Sequence, residues 1–267
     1  MNPPPPPVAL TIAGSDFSAG GGLQADVKNF SAHGVYGLTV VTCIVSEIPG
    51  KVSRIQAAEA SMVRDQLEIL LQGFPVQALK TGMLYSTAII EQIADVLEAI
   101  PAGRRPQIVV DPVMVATSGD RLLLADAVAA YESRLFPMAA VITPNLDEAA
   151  VLLGRTITQE SELAPAAAEL QARYGCAVLL KGGHLRGTEA LDWLHHSEGT
   201  QAFRAPFIPN VSTHGTGCTY AAAITSRLAL GDSLAVAVAA AKHYVSHAIR
   251  TSFRWNDVQA LNHFLVP

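Results

Sequence analysis

Charge is scarce in this 267-residue chain. Only 15 % of residues are charged, the formal net charge is −5, and no Lys/Arg stretch exceeds a pair. A nucleic-acid footprint needs a basic stripe, so the composition argues against that class of partner. Cysteine is scarcer: Cys43, Cys176 and Cys218 are odd in number and widely spaced, with no Cys-x-x-Cys. That argues against a disulfide framework and a structural zinc site, and it fits a reducing cytoplasm. Long apolar runs are missing too. None reaches the ~18 residues of a membrane span; the most apolar late segment, Leu228 to Val245, is interrupted by Gly231, Asp232, Lys242 and His243. The start, Met1-Asn2 and five prolines, lacks the basic and apolar regions of a secretory signal and is expected to be a polyproline-type tail over residues 1–7.

What the chain has is apolar substance, 50 % of its residues. That is enough for a sizeable core, and with so little charge it leaves room for a buried oligomer interface. Short β-rich runs recur at Val8 to Ala13, Leu38 to Ile44, Val76 to Thr81, Gln107 to Asp111, Ala140 to Thr143 and Ala177 to Lys181. They lack clean polar alternation, as strands buried on both faces of a parallel sheet do. Helical patterns lie between and after them: Leu23 to His33, Ser61 to Leu71, Thr87 to Ala99, Ala125 to Arg134, Glu160 to Tyr174, Thr216 to Leu230 and Leu234 to Thr251. Gly187 to Arg204 reads as a hairpin turning at Glu198-Gly199. Repeated strand–helix–strand units predict an α/β sandwich, taken here as one domain over residues 8–267.

Ligands of open α/β sheets bind beyond the carboxyl ends of the strands. Polar clusters follow five of the predicted strands: Gly14-Ser15-Asp16, Lys80-Thr81-Gly82-Met83, Asp111-Pro112-Val113-Met114, Thr143-Pro144-Asn145 and Lys181-Gly182-Gly183-His184. One shared site at that rim is the expectation. Gly215-Thr216-Gly217-Cys218 opens a long small-residue helix. Glycines admit close backbone approach, and the first helical N–H groups are unsatisfied, which together make an anion hole for a phosphoryl group. The plainer alternative is a glycine turn starting a packed helix. It is no Walker A loop, since no Lys-Ser/Thr follows. A thiol at Cys218, on the first turn, is expected below its usual ~8.5; otherwise it is a small buried hydrophobe. Asn145 and Glu148, three apart, offer oxygen ligands for a hydrated magnesium, or else form a helix capping box. Lys181 offers a cation to phosphates or is a solvated strand end. Asp111 is a metal-site carboxylate or a loop cap. Asp26 faces substrate or solvent. The Gly14 to Lys28 stretch does not match the dinucleotide fingerprint.

In their order, these motifs resemble the ribokinase-like superfamily, and more closely its hydroxymethylpyrimidine/phosphomethylpyrimidine kinases of thiamine biosynthesis. The resemblance runs from about Val8 to Tyr244. It is carried by Thr11 to Asp16, Gly22 to Lys28, Lys80 to Leu84, Asp111 to Met114, Ser118-Gly119-Asp120, Thr143 to Ala149, Lys181 to His184 and His214 to Cys218. It implies a three-layer sandwich with a central, mostly parallel sheet flanked by helices. It also implies ATP and Mg²⁺ as cofactors, a pyrimidine alcohol as substrate, and a homodimer. Cys218 stands where sugar-kinase relatives carry Asp, which favours the pyrimidine branch. By resemblance, Gly215, Thr216 and Gly217 form the anion hole, and Cys218 faces the acceptor hydroxyl. Asp111, Asn145 and Glu148 serve magnesium, while Lys181, Lys242, Asn145 and Thr213 serve the nucleotide. Asp26, Glu47, Met83 and Val113 line the pyrimidine pocket, under a flap at Val115 to Leu123. One position departs from the pattern: Glu47, in Ser46-Glu47-Ile48-Pro49, stands where the family carries Gln. An ionised Glu only accepts hydrogen bonds, whereas Gln also donates, so pyridoxal or another ring alcohol stays open as acceptor. A non-catalytic binding protein on the same fold is the alternative of another class.

Overall fold

The computed structural model describes residues 4–114, 125–183, 185, 188–211 and 214–264. The chain order is β1 (Val8–Asp16), α1 (Gly22–Ala32), β2 (Tyr36–Ile48), β3 (Lys51–Ala57), α2 (Ala60–Gly73), β4 (Val76–Thr81), α3 (Thr87–Glu98) and β5 (Gln107–Val110). It continues through α4 (Ala125–Ala130), β6 (Val141–Ile142), α5 (Leu146–Leu153), α6 (Leu163–Tyr174), β7 (Ala177–Lys181), β8 (Glu189–His196) and β9 (Gly199–Pro206). Last come α7 (Thr216–Ala229), α8 (Leu234–Arg250), β10 (Phe253–Trp255) and β11 (Val258–Ala260).

Nine strands form one sheet in the order β3-β2-β1-β4-β5-β6-β7-β8-β9. The six from β2 to β7 are parallel, and β3, β8 and β9 add antiparallel edges. Successive residues of the central strands feed different cores. Leu10, Ile12, Leu79, Ile108 and Leu180 pack into one; Ala9, Ala78, Val109, Val141 and Leu179 pack into the other. Burial on both faces is why these strands show no polar alternation. Part of the second face is built from small residues, Ala9 and Ala78 in the sheet with Ala221, Ala222 and Ala223 in α7. This smallness lets α7 lie close against β4 and β5, which seats its N-terminus at the carboxyl ends of the strands. The strand order reverses beside β1, whose neighbours are β2 and β4, and such a reversal opens a crevice.

The sandwich with its mostly parallel sheet agrees with expectation. The differences lie at the edges. β2 runs on through Ile48 and pairs with β3, an edge strand the pattern reading missed because its residues are exposed or half-buried. The helix expected over Ala125 to Arg134 stops at Ala130 and widens into a π-turn over Tyr131–Leu135, just ahead of Pro137. The hairpin turn sits at Ser197-Glu198 rather than Glu198-Gly199. The β10–β11 hairpin, three residues a strand, is too short to show a period. Ser118-Gly119-Asp120, the flap at Val115 to Leu123, His184 and Thr213 lie outside the described residues.

Candidate active site

Two glycine turns meet at the crevice. The backbone of Gly215 has φ 79°, and a Cβ there would sit 1.8 Å from the Gly20 carbonyl oxygen. Gly22 has φ 57°, and its Cβ would meet the Gly14 carbonyl at 2.5 Å. Only glycine tolerates both the left-handed conformation and the contact. The turn before α7 therefore rests directly on the loop between β1 and α1. A side-chain latch joins them as well: His214 Nε2 lies 2.9 Å from Asp16 Oδ2. Asp16 also accepts from the N–H of Gly21 and from Ser18. Asp16 lies below the ordinary carboxylate range because these hydrogen bonds, with His214 first, outweigh its burial. The same contact raises His214.

A cavity of about 500 Å³ opens over these turns. Its lining brings together Glu47, Met83, Asp111, Val113, Asn145, Glu148, Lys181, Gly215, Thr216, Gly217, Cys218 and Lys242. Lys181 Nζ is 2.9 Å from Asp111 Oδ1 and 3.4 Å from where a Gly217 Cβ would lie. An ammonium thus stands beside Gly217 in the first turn of α7. Asp111 also accepts from Thr143 Oγ1 at 3.1 Å.

Asn145 and Glu148 form the capping box of α5. Asn145 Oδ1 accepts from the Glu148 N–H at 2.9 Å, and Glu148 Oε2 from the Asn145 N–H at 2.8 Å. The cap is realised, and it uses one lone pair of the Asn145 side-chain oxygen, leaving the second lone pair and the amide NH₂ for a ligand. Burial pushes Glu148 up to about 8, with Asp111 adding to the rise and Lys181 opposing it. Two carboxyl groups thus crowd one ammonium. Burial keeps the Glu148 carboxyl protonated beside Asp111 until a cation offsets its charge, which fits a hard cation held by one or two carboxylates, with phosphates and water completing its shell. Among the described residues, no three His, Cys, Asp or Glu side chains stand close enough to cage a metal by themselves.

Two expectations are corrected. The Cys218 thiol is not lowered: burial raises it to about 11, and the Asp26 and Asp111 charges add to this. Lys80 and a hydrogen bond from Gly22 pull the other way but lose. The helix N-terminus is outweighed because the thiol, though half-open to the cavity, lies deep beside two carboxylates. Asp26 does not line the cavity. It is 0 % exposed, and its Oδ2 accepts from Thr11 Oγ1 at 2.6 Å and from Lys80 Nζ at 2.9 Å. Burial raises Asp26, while Asp26 in turn holds Lys80 above its ordinary value despite burial. This ion pair lies beneath the floor, within electrostatic reach of Cys218.

Glu47 sits at a β-bulge between Ser46 and Glu47, the kind of irregularity that re-aims a side chain. Burial raises it, Asp16 adds to the rise, and His214 opposes it. Asp16, Lys80 and His214 stand in the sequence motifs, which assign them no role, and Asp192 stands in none of those motifs. A charged residue inside an apolar run was the available signal for Asp192.

A glycine turn at a helix N-terminus, a lysine beside it and buried carboxyl groups next to it, all at strand ends of this sandwich, fit the class of small-molecule kinases. Comparison with known proteins narrows the class. The family model described as phosphomethylpyrimidine kinase matches residues 16–262. A hydroxymethylpyrimidine/phosphomethylpyrimidine kinase of Rhizobium meliloti (strain 1021) is 45 % identical over 248 residues, 92 % of each chain. The structure of an ADP complex of Bacillus subtilis pyridoxal kinase superposes with a TM-score of 0.88 at 35 % identity, covering 97 % of each chain. A Clostridium difficile phosphomethylpyrimidine kinase gives 0.79 at 36 % identity, covering 91 % of this chain and 99 % of that one. The chain belongs to the phosphomethylpyrimidine kinase family.

Proposed function

We propose that the protein transfers the γ-phosphoryl group of ATP to 4-amino-5-hydroxymethyl-2-methylpyrimidine and then to the resulting monophosphate. The observation that carries this reading is the Gly215–Cys218 turn with Lys181 packed against Gly217. Phosphoryl transfer is mostly positioning and charge stabilisation. The Gly215 to Cys218 amides hold the equatorial oxygens of the transferring group, and Lys181 balances its charge. Lys242 and the Asn145 amide serve the nucleotide; Thr213, from the sequence, is assigned there too. Asp111, Asn145 and Glu148 would hold a magnesium ion, which supplies charge neutralisation across the phosphates.

The hydroxymethyl group is held over Cys218, with Glu47, Met83 and Val113 around the ring. Cys218 is a neutral thiol at rest. It orients the attacking hydroxyl by hydrogen bonding, and it accepts the proton only through a thiolate that Lys80 would stabilise. The diphosphate-forming acceptor is already anionic and depends less on that proton transfer. We place the enzyme in the cytoplasm as a homodimer; no helix among the described residues is long and apolar enough to cross a membrane.

The direct test is ³¹P NMR of the purified chain with ATP, magnesium and the pyrimidine alcohol. The monophosphate appears first and the diphosphate second; no phosphoester from this alcohol sinks the reading. A pyridoxal-type kinase is the second reading, favoured by Glu47 in the cavity wall. If Glu47 merely reads the pyrimidine less well than Gln, Glu47→Gln raises its kcat/KM. If Glu47 serves another ring, wild type prefers pyridoxal and Glu47→Gln lowers that preference.

A further inference from the structure

Asp192 lies in β8 within Leu191-Asp192-Trp193-Leu194 and is 2 % exposed. Burying a lone carboxylate costs several kcal/mol, so its partners explain its presence. Oδ2 accepts from Lys242 Nζ at 2.6 Å, and Oδ1 accepts from the Gly182 N–H at 3.1 Å. One carboxylate thus ties α8 to the turn that follows β7. The antiparallel register sets Asp192 opposite Lys181, the residue beside Gly217. Lys242 is 8 % exposed, and its ammonium stands 6.0 Å from the centre of the Tyr220 ring. Asp192, Lys242 and Tyr220 all line the cavity.

The sheet order gives this cluster its direction. Gly14, Val45, Glu47 and Met83 line the cavity near β1, β2 and β4; the Asp192 cluster belongs to the β7-β8-β9 end. At that end the walls are apolar: Pro206, Phe207, Val211, Val245 and Ile249. Such a slot suits a flat heterocyclic base. A polyphosphate running from the Gly217 amide to a base in that slot passes Lys181 and then Lys242.

We propose that Asp192 is a positioning residue for the nucleotide. By fixing the Lys242 ammonium beside the turn that follows β7, it sets where the phosphates nearest the base are held, and it takes no part at the acceptor. A lysine stem carries much rotamer entropy, which this pairing removes before the nucleotide arrives. The opposite role, a carboxylate that competes with phosphate for the ammonium, makes the opposite prediction. The inference rests on the kinase reading above.

The test measures ADP binding by calorimetry, which needs no turnover. Asp192→Asn keeps the shape and an oxygen for Gly182 while removing the charge. It is expected to raise the ADP Kd and the KM for ATP about tenfold, roughly 1.4 kcal/mol, with the acceptor KM unmoved. In a Lys242→Gln background, Asp192→Asn should add almost nothing, because it acts through Lys242. Unchanged or tighter ADP binding by Asp192→Asn overturns the proposal, as does a full additional loss in the Lys242→Gln background. Should Asp192→Asn fail to fold, Lys242→Gln alone decides: unaltered ADP affinity overturns it. A wild-type chain that binds no ADP sinks the kinase reading itself, and the proposal with it.

Discussion

The Cys218 thiol stands at about 11, raised by burial beside Asp26 and Asp111. An ordinary thiol would be half-ionised near pH 8.5. If its thiolate accepts the proton, the first transfer should gain rate through pH 9 and 10 with no plateau near 8.5. A pH profile of single-turnover rates checks this, and a plateau at or below 8.5 would show that the site lowers the thiol instead. Cys218→Ala should flatten that rise and slow the first transfer by about 10²-fold or more. His263 gives a second pH effect, unrelated to the chemistry. It is 4 % exposed, shares a 2.9 Å hydrogen bond with Thr219 Oγ1, and burial lowers it to about 4. The unfolded chain binds that proton near 6.5, so stability is full above 6.5 and falls as pH drops toward 4. The loss reaches about 3 kcal/mol for a shift of this size. Denaturant melts at pH 7 and pH 4.5 should show His263→Gln losing less over that interval than wild type.

At the scale of elements, the α7 N-terminus and the β1–α1 loop behave as one part. Backbone contact between Gly215 and Gly20 and the His214–Asp16 pair bind segments nearly two hundred residues apart in the chain. His214 is raised, so its contribution is present below the unfolded value near 6.5 and fades as pH climbs through the folded value. Asp16 is lowered, so its contribution is present above about 4 and fades on acidification. The latch is therefore strongest between those limits. The melting-temperature gap between wild type and His214→Gln should be larger at pH 6 than at pH 9; a gap independent of pH would remove the charge from the account. This part also shows what the chain reveals by itself. The glycine turn, the small-residue helix and the polar strand ends were readable because the backbone demands them at fixed spacing. The Asp16–His214 contact was not, since nothing local distinguishes a loop Asp that caps its own turn from one that also reaches across the fold.

For the whole molecule, the central strands and the flanking helices were legible because double burial writes itself as short apolar runs. β3 and the C-terminal hairpin were not, because edge strands carry mixed residues and short ones carry no period. The rim was legible as a list of residues but not as a balance of charges. Asp26 is buried against Lys80, Asn145 and Glu148 cap α5 from within the cavity wall, and Cys218 is raised where it is expected to fall. Each of those outcomes depends on burial, which only the assembled fold sets. The claim on which the others depend is that phosphate is transferred at the α7 N-terminus beside Lys181. Its most direct test is single-turnover phosphoryl transfer by Lys181→Met, with acceptor binding measured in parallel. The transfer rate should fall about 10²-fold or more with the acceptor Kd unchanged; a rate within threefold of wild type would place the transfer elsewhere.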